Sequence, residues 1–467
     1  MPRIQLFGLG LQSRSRAVTA KYRQNFYTEN RPQGEKSQVV AYGTPGTLLF
    51  ADLGGSSSRG GIVVERVDLA YVVNLGTFYE VNNAGVATAR GTIGTTSGRV
   101  SLAHNGSIVM VVDGDTVYTY DTTAPATPIA ETSTNAISNP NTCTWMDGYF
   151  VINNTTQGQI STNGSTWDAT EVFTPESNPD NFIHVIADHG QLLCFSDLSI
   201  EPWNNTGATD FPFAPIVSAA AEWGLAARWS LVKFNDSVAF LAKNRMGQVV
   251  VSVMQGNVPV KISTPDIDEI INDYTTVSDA SAFSYLLGGH AFYQINFPSA
   301  DASWLYDALT GQWQAVKSYG MGRHRGDWAL NYLNKTIVAA SDSGRHFILD
   351  PDVYTDNGDM IEGELISENI ASQDSARFNV DRLRIEMETG VGLATGQGSD
   401  PTLMLFVSRN GGATYGNQID LSIGQIGDYK KRVEARRLGY ADEWNFKLRI
   451  TDPVKRVITE ACVNPSD

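Results

Sequence analysis

The feature that most constrains this chain is a hairpin that recurs. A short run of apolar and small residues ends in Asn, Asp or Lys, a tight turn follows, and a second run closes on Asp, Asn or Gly. First runs occupy residues 70–74, 108–113, 149–153, 191–197, 237–243, 290–296 and 336–342. Second runs include 78–82, 117–121, 160–167, 200–204, 249–253, 304–307 and 346–350. Successive copies start roughly 40 to 50 residues apart, the period of propeller blades and related arrays. A single hairpin cannot cover its own apolar face, so the copies have to stack.

Stacking can proceed along a line or around a circle. No copy carries the polar outer face of a terminal cap, and the connecting segments are long and variable, whereas linear solenoids keep tighter periods. A ring also leaves only short, protected strand edges. The sequence therefore predicts an all-β chain: an N-terminal arm over residues 1–61, a β-propeller of six or seven blades over 62–358, and a C-terminal β-sandwich-like domain over 359–467. Blade number stays open, because one hairpin can belong to a flanking sheet or be completed by the N-terminal segment. Residues 54–61, with three serines and two glycine pairs, are predicted to be a flexible connection, with the ring starting after them.

One stretch departs from the β pattern. Thr264 can cap a helix, Pro265 suits its first position, and Asp266, Asp268 and Glu269 favour the positive end of the helix dipole. Ile267, Ile270, Ile271 and Tyr274 then share one face, which predicts a short amphipathic helix packed between blades. Beyond residue 358 the repeat stops. Alternating runs at 403–408, 432–438 and 444–450, separated by Gly-rich turns, give the sandwich reading.

Charge narrows the function classes. The net charge is -16, so binding DNA by neutralising its phosphates is disfavoured. The imbalance is uneven: Arg3, Arg14, Arg16, Lys21, Arg23, Arg31 and Lys36 crowd the first forty residues against Glu29 and Glu35. Such an arm reads either as a solvated tail or as a docking arm for an acidic neighbour. Cys143, Cys194 and Cys462 are too few and too scattered for a disulfide framework and read as buried thiols made in a reducing cytoplasm. No signal segment and no run of eighteen apolar residues is present, so neither secretion by that route nor membrane insertion is expected.

Candidate chemistry is sparse. Residues 408–415 (Ser-Arg-Asn-Gly-Gly-Ala-Thr-Tyr) have the form of an Asp-box turn, and 161–167 form a contracted version. Such turns recur in sialidases and other propeller glycosidases, but their Asn and Gly serve turn geometry. A glycosidase also needs two carboxyl groups at a set separation, and among 50 acidic residues no cluster of acids, arginines and tyrosines singles out a pocket. Asp350, Asp352, Asp356 and Asp359 invite a calcium loop, yet Tyr354 stands where a ligand oxygen is needed. His104, His184, His189, His290, His324 and His346 show no zinc spacing. The basic cluster Lys430, Lys431, Arg432, Arg436 and Arg437, interleaved with apolar residues, reads as a solvated or interface face of a strand. No catalytic, cofactor-binding or metal-binding residue is predicted, and the chain reads as a structural protein. A glycan-active propeller, sialidase-like or lectin-like, is the alternative, and would show converging carboxylates or aromatics at one mouth of the ring.

Several segments in order carry a family resemblance: 289–293 (Gly-His-Ala-Phe-Tyr), 297–300 (Phe-Pro-Ser-Ala), 304–307 (Trp-Leu-Tyr-Asp) and 310–313 (Thr-Gly-Gln-Trp). Residues 98–103, the 185–202 hairpin, the helix start at 262–265, 354–358 and 432–439 agree in sequence order. From about residue 25 onward the chain resembles the phage packaged-DNA stabilisation proteins, the tail hub or nozzle of short-tailed phages. The resemblance implies a subunit of a hexameric nozzle in the virion tail, made in the host bacterial cytoplasm. It implies an adaptor protein above and a tail needle, fibres or spikes beside or below. The nozzle closes the DNA exit after packaging and conducts the genome at infection, without binding it tightly, and the family has no catalytic residues to carry over.

Overall fold

The computed structural model describes residues 3–4, 21–32, 39–372 and 376–464. Seven small antiparallel sheets stand around a common axis, and their pairing fixes the blade number at seven. Blades one to four follow the chain in order, each a four-stranded meander, over residues 58–92, 101–131, 142–173 and 182–215. In blade five the innermost strand is broken into Gly224–Leu225 and Val232–Phe234, both paired with Ser237–Lys243. Blade six comprises Ser281–Leu287, His290–Phe297, Ala302–Asp307 and Gln312–Ala315. The recurrent first and second runs of the sequence are the second and third strands of the seven blades.

Blade seven closes the circle. Its inner three strands, Gly326–Tyr332, Lys335–Ala340 and Arg345–Asp350, come from the end of the ring, and its fourth, Gly46–Asp52, comes from the beginning of the chain. The Arg345 side chain reaches Asp52 at 3.2 Å along this seam. The edge that would otherwise be left open is paired within the chain. Residues 46–52, placed by sequence in the N-terminal arm, are thus part of the ring sheet.

Each gap between neighbouring blades holds its own apolar cluster, so the core is a circle of seven wedges rather than one interior. Val109, Val111, Tyr71 and Phe78 fill the wedge between blades one and two. Phe195 and Phe240 meet between blades four and five. Hydrogen bonds sew the inner strands together: Trp328 Nε1 donates to Ser58 O at 2.9 Å between blades seven and one, and Cys143 N donates to Ser101 Oγ at 3.0 Å between two and three.

The stretch 54–61 does not behave as one flexible connection. Ser58–Val64 is the innermost strand of blade one. A Cβ on Gly61 would lie 2.8 Å from the Trp328 ring, so glycine is needed here for close packing against blade seven. The predicted helix forms over Pro265–Asn272, capped by Thr264, and buries Ile267 and Ile271 between blades five and six.

The sandwich has two sheets around Trp444, Phe446, Leu448, Leu383, Ile385 and Ile458. Phe378–Met387, Val433–Ala441 and Val457–Val463 build one sheet; Gly363–Ile366, Thr402–Ser408, Ile419–Ser422 and Glu443–Ile450 build the other. The C-terminal segment does not complete them alone. Phe26–Asn30 and Val39–Gly43 extend the first sheet, and Tyr22–Gln24 joins the second. Tyr22–Gln24 also bridges in parallel to blade six at Ala315, so one sheet runs from the ring into the sandwich.

Candidate functional site

The residues that hold ring and sandwich together sit around Tyr22–Gln24. Asn25 follows this strand with φ of 54°, a left-handed conformation that asparagine tolerates. Its Nδ2 donates to Lys317 O at 3.0 Å in the ring and to Glu362 O at 2.9 Å at the sandwich, while its Oδ1 accepts from Lys317 N at 2.9 Å. Arg23 is buried, and its Nη2 donates to Gln312 Oε1 at 2.7 Å and to Trp313 O at 3.2 Å. Burial lowers the Arg23 pKa to about 10, partly offset by the Asp307 charge. Lys21 is buried against Glu368, with its pKa lowered to about 8 by burial and by Arg23. Tyr27 packs edge-on against His290 and Phe292 of blade six.

The two readings of the basic arm therefore need correction where the structure describes it. Arg14, Arg16 and Lys36 lie outside the described residues. Lys21 and Arg23 are neither solvated nor available for docking, because a cation on a strand enclosed by blade six and the sandwich is hydrogen-bonded inward. Arg31 lies at the surface, donating to Tyr42 Oη at 2.7 Å. Sequence offered no signal for this junction, since Asn25 and Lys317 are 292 positions apart.

The aspartates at the end of the ring are structural neighbours of the closing strand. Asp350 Oδ1 accepts from Asp352 N at 2.9 Å. Buried Asp356 accepts from Thr47 Oγ1 at 2.6 Å, and Asp359 pairs with Arg325 at 3.1 Å. Among the described residues no three His, Cys, Asp or Glu side chains gather as a metal would require.

Both Asp-box-like turns are built in the same way. Ser161 Oγ accepts from Gly164 N at 2.9 Å, and Asn163 Oδ1 accepts from Ser165 N and Thr166 N at 2.9 and 2.8 Å. Ser408 Oγ accepts from Gly412 N at 2.9 Å, and Asn410 Oδ1 from Thr414 N at 3.0 Å. Trp167 is buried beneath the first turn, and Tyr415 hydrogen-bonds Asn445 at 2.6 Å beside the second.

The basic cluster divides. Lys430, Lys431 and Arg432 precede the strand Val433–Ala441, while Arg436 and Arg437 lie on it, all five exposed. Arg436 pairs with Glu434 at 3.0 Å, and exposed Tyr429 and Tyr440 flank the group. Cys143 and Cys194 are buried, which raises both thiols, that of Cys143 to about 12.

Two hollows lie along the ring axis. One, of about 370 Å³, is walled by the inner strands and includes Arg99, His184, Trp229 and Trp328. The other, of about 400 Å³, includes Asp188, Lys233, Asp236 and Leu286. In the first, the neighbouring carboxylate Asp327 is held by Arg99 at 3.3 Å and Ser281 at 2.6 Å. In the second, Asp188 is held by Lys233 at 2.7 Å and His189 at 3.0 Å. Each carboxylate is committed to a cation. Sequence inspection missed both hollows, because their walls join short segments of several blades that lie far apart in sequence.

Comparison with known proteins gives two family matches in chain order. Residues 3–354 match the family described as bacteriophage P22 Gp10, β-propeller, and residues 365–465 match bacteriophage P22 Gp10, β-sandwich. The chain is similar to the tail hub protein gp10 of Salmonella phage P22, 25% identical over 298 residues. That alignment covers 60% of this chain and spans 59% of the relative's length. Among solved structures it is similar to YCF48 bound to D1 peptide, with 8% identity, 66% of this chain and 97% of that chain covered, and a TM-score of 0.42. It is also similar to the WD40 β-propeller domain of Doa1, with 12% identity, 65% and 97% covered, and a TM-score of 0.41. The Neurospora crassa Pan2 WD40 domain gives 9% identity, 66% and 94% covered, and a TM-score of 0.42. The blade count rests on strand pairing, not on these likenesses.

Proposed function

The chain belongs to the bacteriophage P22 Gp10 family, which it matches across both its propeller and its sandwich, and on that premise we propose that it is a structural subunit of a phage tail hub. The observation that carries this reading is the match to both domains in the order that family has them. In this reading copies of the chain assemble as a ring, six in number, below the head-to-tail adaptor, with needle, fibre or spike proteins attached. The ring closes the DNA exit after packaging and conducts the genome at ejection.

Two physical features support a passive conduit rather than a catalyst. The sheet shared by blade six and the sandwich, clamped by Arg23 and Asn25, ties two domains into one brace. A net charge of -16 disfavours phosphate neutralisation, and each Lys or Arg contact avoided lowers the affinity that would slow a sliding duplex. We place the acidic surface toward the lumen.

The test is removal of the gene from the phage that encodes it. Heads should fill, then lose their DNA, and the particles should lack the lower tail by electron microscopy. Infectious, DNA-retaining particles without this chain would overturn the proposal. For the lumen, purified rings should show no tight binding of duplex DNA at physiological salt.

A further inference from the structure

Charge is divided along this molecule. Residues 100–227, which carry blades two to four, hold 14 Asp or Glu and no Lys or Arg. Exposed Glu131, Asp168 and Asp210 stand at the outer rim of those three blades, on or just before their outermost strands. The sandwich joins the ring at blade six. Counted round seven blades, the point opposite blade six falls between blades two and three. The arc without Lys or Arg therefore lies on the side of the ring away from the sandwich.

The sandwich carries the opposite sign at its far end. Its two sheets begin beside blade six with Tyr22–Gln24 and Phe26–Asn30, and their strand orders end on Ile419–Ser422 and Val433–Ala441. The loop of residues 423–432 joins these two outer edges and carries Lys430, Lys431 and Arg432, and Arg437 follows on the strand. All four are exposed, and none makes an ion pair among the described residues. Ile426 and Tyr429 of the same loop are 65% and 75% exposed. The loop is held in place: Gly427 N donates to Gly390 O at 3.2 Å, and Thr389 Oγ1 donates to Tyr429 O at 3.0 Å. Cations on an edge strand guard it against stray pairing, which accounts for Arg436 and Arg437. It does not account for three cations ahead of the strand, beside two large exposed side chains and with Asp428 as the one acid of the loop.

We propose that this basic and aromatic edge is the contact to a second copy of the chain, seated on the outer rim of that copy's blades two to four. The contact rests on the hub reading above and names the surfaces that join its copies. Opposite charges at opposite ends of one subunit make a head-to-tail interface, the heterologous kind that closes into a ring when its rotation allows. Complementary charge steers the two surfaces together and fixes their register, while Tyr and Arg are the side chains that most often anchor such interfaces. Asp68, Asp147 and Asp236 are exposed in the turns between the first and second strands of blades one, three and five. They lie away from the outer rim and remain for the lumen.

The experiment is sedimentation velocity of the purified full chain at low salt, beside two charge-reversed variants. One carries Lys430→Glu, Lys431→Glu and Arg437→Glu; the other carries Glu131→Lys, Asp168→Lys and Asp210→Lys. The parent should self-associate, and less so as sodium chloride rises. Each variant alone should associate at least tenfold more weakly, with a melting temperature close to the parent's because all six side chains are exposed. Mixed in equal amounts the two variants should associate again, since each then offers the other an opposite charge. If a variant does not fold, zero-length carbodiimide coupling between isotope-labelled and unlabelled parent decides: Lys430 or Lys431 of one copy should link to Glu131, Asp168 or Asp210 of another. Variants that associate as the parent does, a mixture that stays apart, or an absence of those links would overturn this contact and leave the hub reading standing. A parent that is monomeric at every concentration would remove the ring reading as well, and duplex DNA bound through the same lysines would reassign the edge and overturn the contact.

Discussion

Ring and sandwich are both built of short strands, yet they complete themselves differently. The ring needs one foreign strand, Gly46–Asp52, and is otherwise a succession of local meanders. The sandwich takes four, Arg3–Ile4, Tyr22–Gln24, Phe26–Asn30 and Val39–Gly43, and most of its own pairings join strands far apart in sequence. The difference teaches that the strands described within residues 3–52 are not an appendage. They are the fastening of both domains, and the ring depends on them less than the sandwich does.

Truncation tests that comparison most severely. A chain beginning at residue 53 lacks the closing strand and all four N-terminal sandwich strands, and should not give a cooperatively folded protein by circular dichroism and thermal melting. A chain beginning at residue 44 keeps Gly46–Asp52. It should retain a protease-resistant ring while the segment beyond residue 359 is digested. An intact sandwich in the second truncation would break the comparison.

Acid should separate the domains by a smaller margin. All six histidines lie in the ring, and none lies beyond residue 358. Burial lowers the pKa of His346 from 6.5 to about 4 and that of His184 to about 3. Both are held neutral in the fold and gain a proton on unfolding. Their contribution is present above pH 6.5, shrinks as pH falls below it, and is gone once pH passes the folded pKa. For His346 alone the loss is about 3 kcal/mol at most, at about 1.4 kcal/mol per pKa unit. Urea titrations between pH 7 and pH 4 should show the ring transition moving to lower denaturant while the sandwich transition moves less. His346→Gln should flatten the ring's pH dependence; an unchanged slope would reject this origin.

How much of this was legible in the sequence follows from contact range. The second and third strands of every blade were readable because their runs, turns and partners lie within a few residues, as in Ile108–Val112 and Val117–Asp121. The helix at Pro265–Asn272 was readable because cap, proline and apolar face are all local. The outermost strands were not, since Ala130–Glu131 and Val172–Phe173 are two residues long. Gly46–Asp52 was assigned to the arm because its partner, Arg345–Asp350, lies at the other end of the ring and no local pattern marks the pairing. The sandwich strands of residues 22–43 failed for the same reason. The axial hollow was invisible because Arg99, His184, Trp229 and Trp328 come from four different blades.

The smallest effect asks whether local chemistry is indifferent to which domain it serves. The turns at Asn163 in blade three and Asn410 in the sandwich share a Ser-x-Asn-Gly core, with Gly164 and Gly411 in the left-handed region. In both turns the asparagine Nδ2 donates to a threonine hydroxyl, Thr166 Oγ1 or Thr414 Oγ1, but Asn163 Oδ1 accepts two backbone N–H groups and Asn410 Oδ1 accepts one. Both asparagines are exposed, so water replaces part of what alanine removes, and each substitution should cost about 1 kcal/mol by denaturant titration. Asn163→Ala should cost slightly more because two amides lose their acceptor. If Asn410→Ala instead cost several times as much, the turn would be holding the sandwich's long-range pairing in register, and the division between a locally built ring and a remotely fastened sandwich would reach down to single side chains.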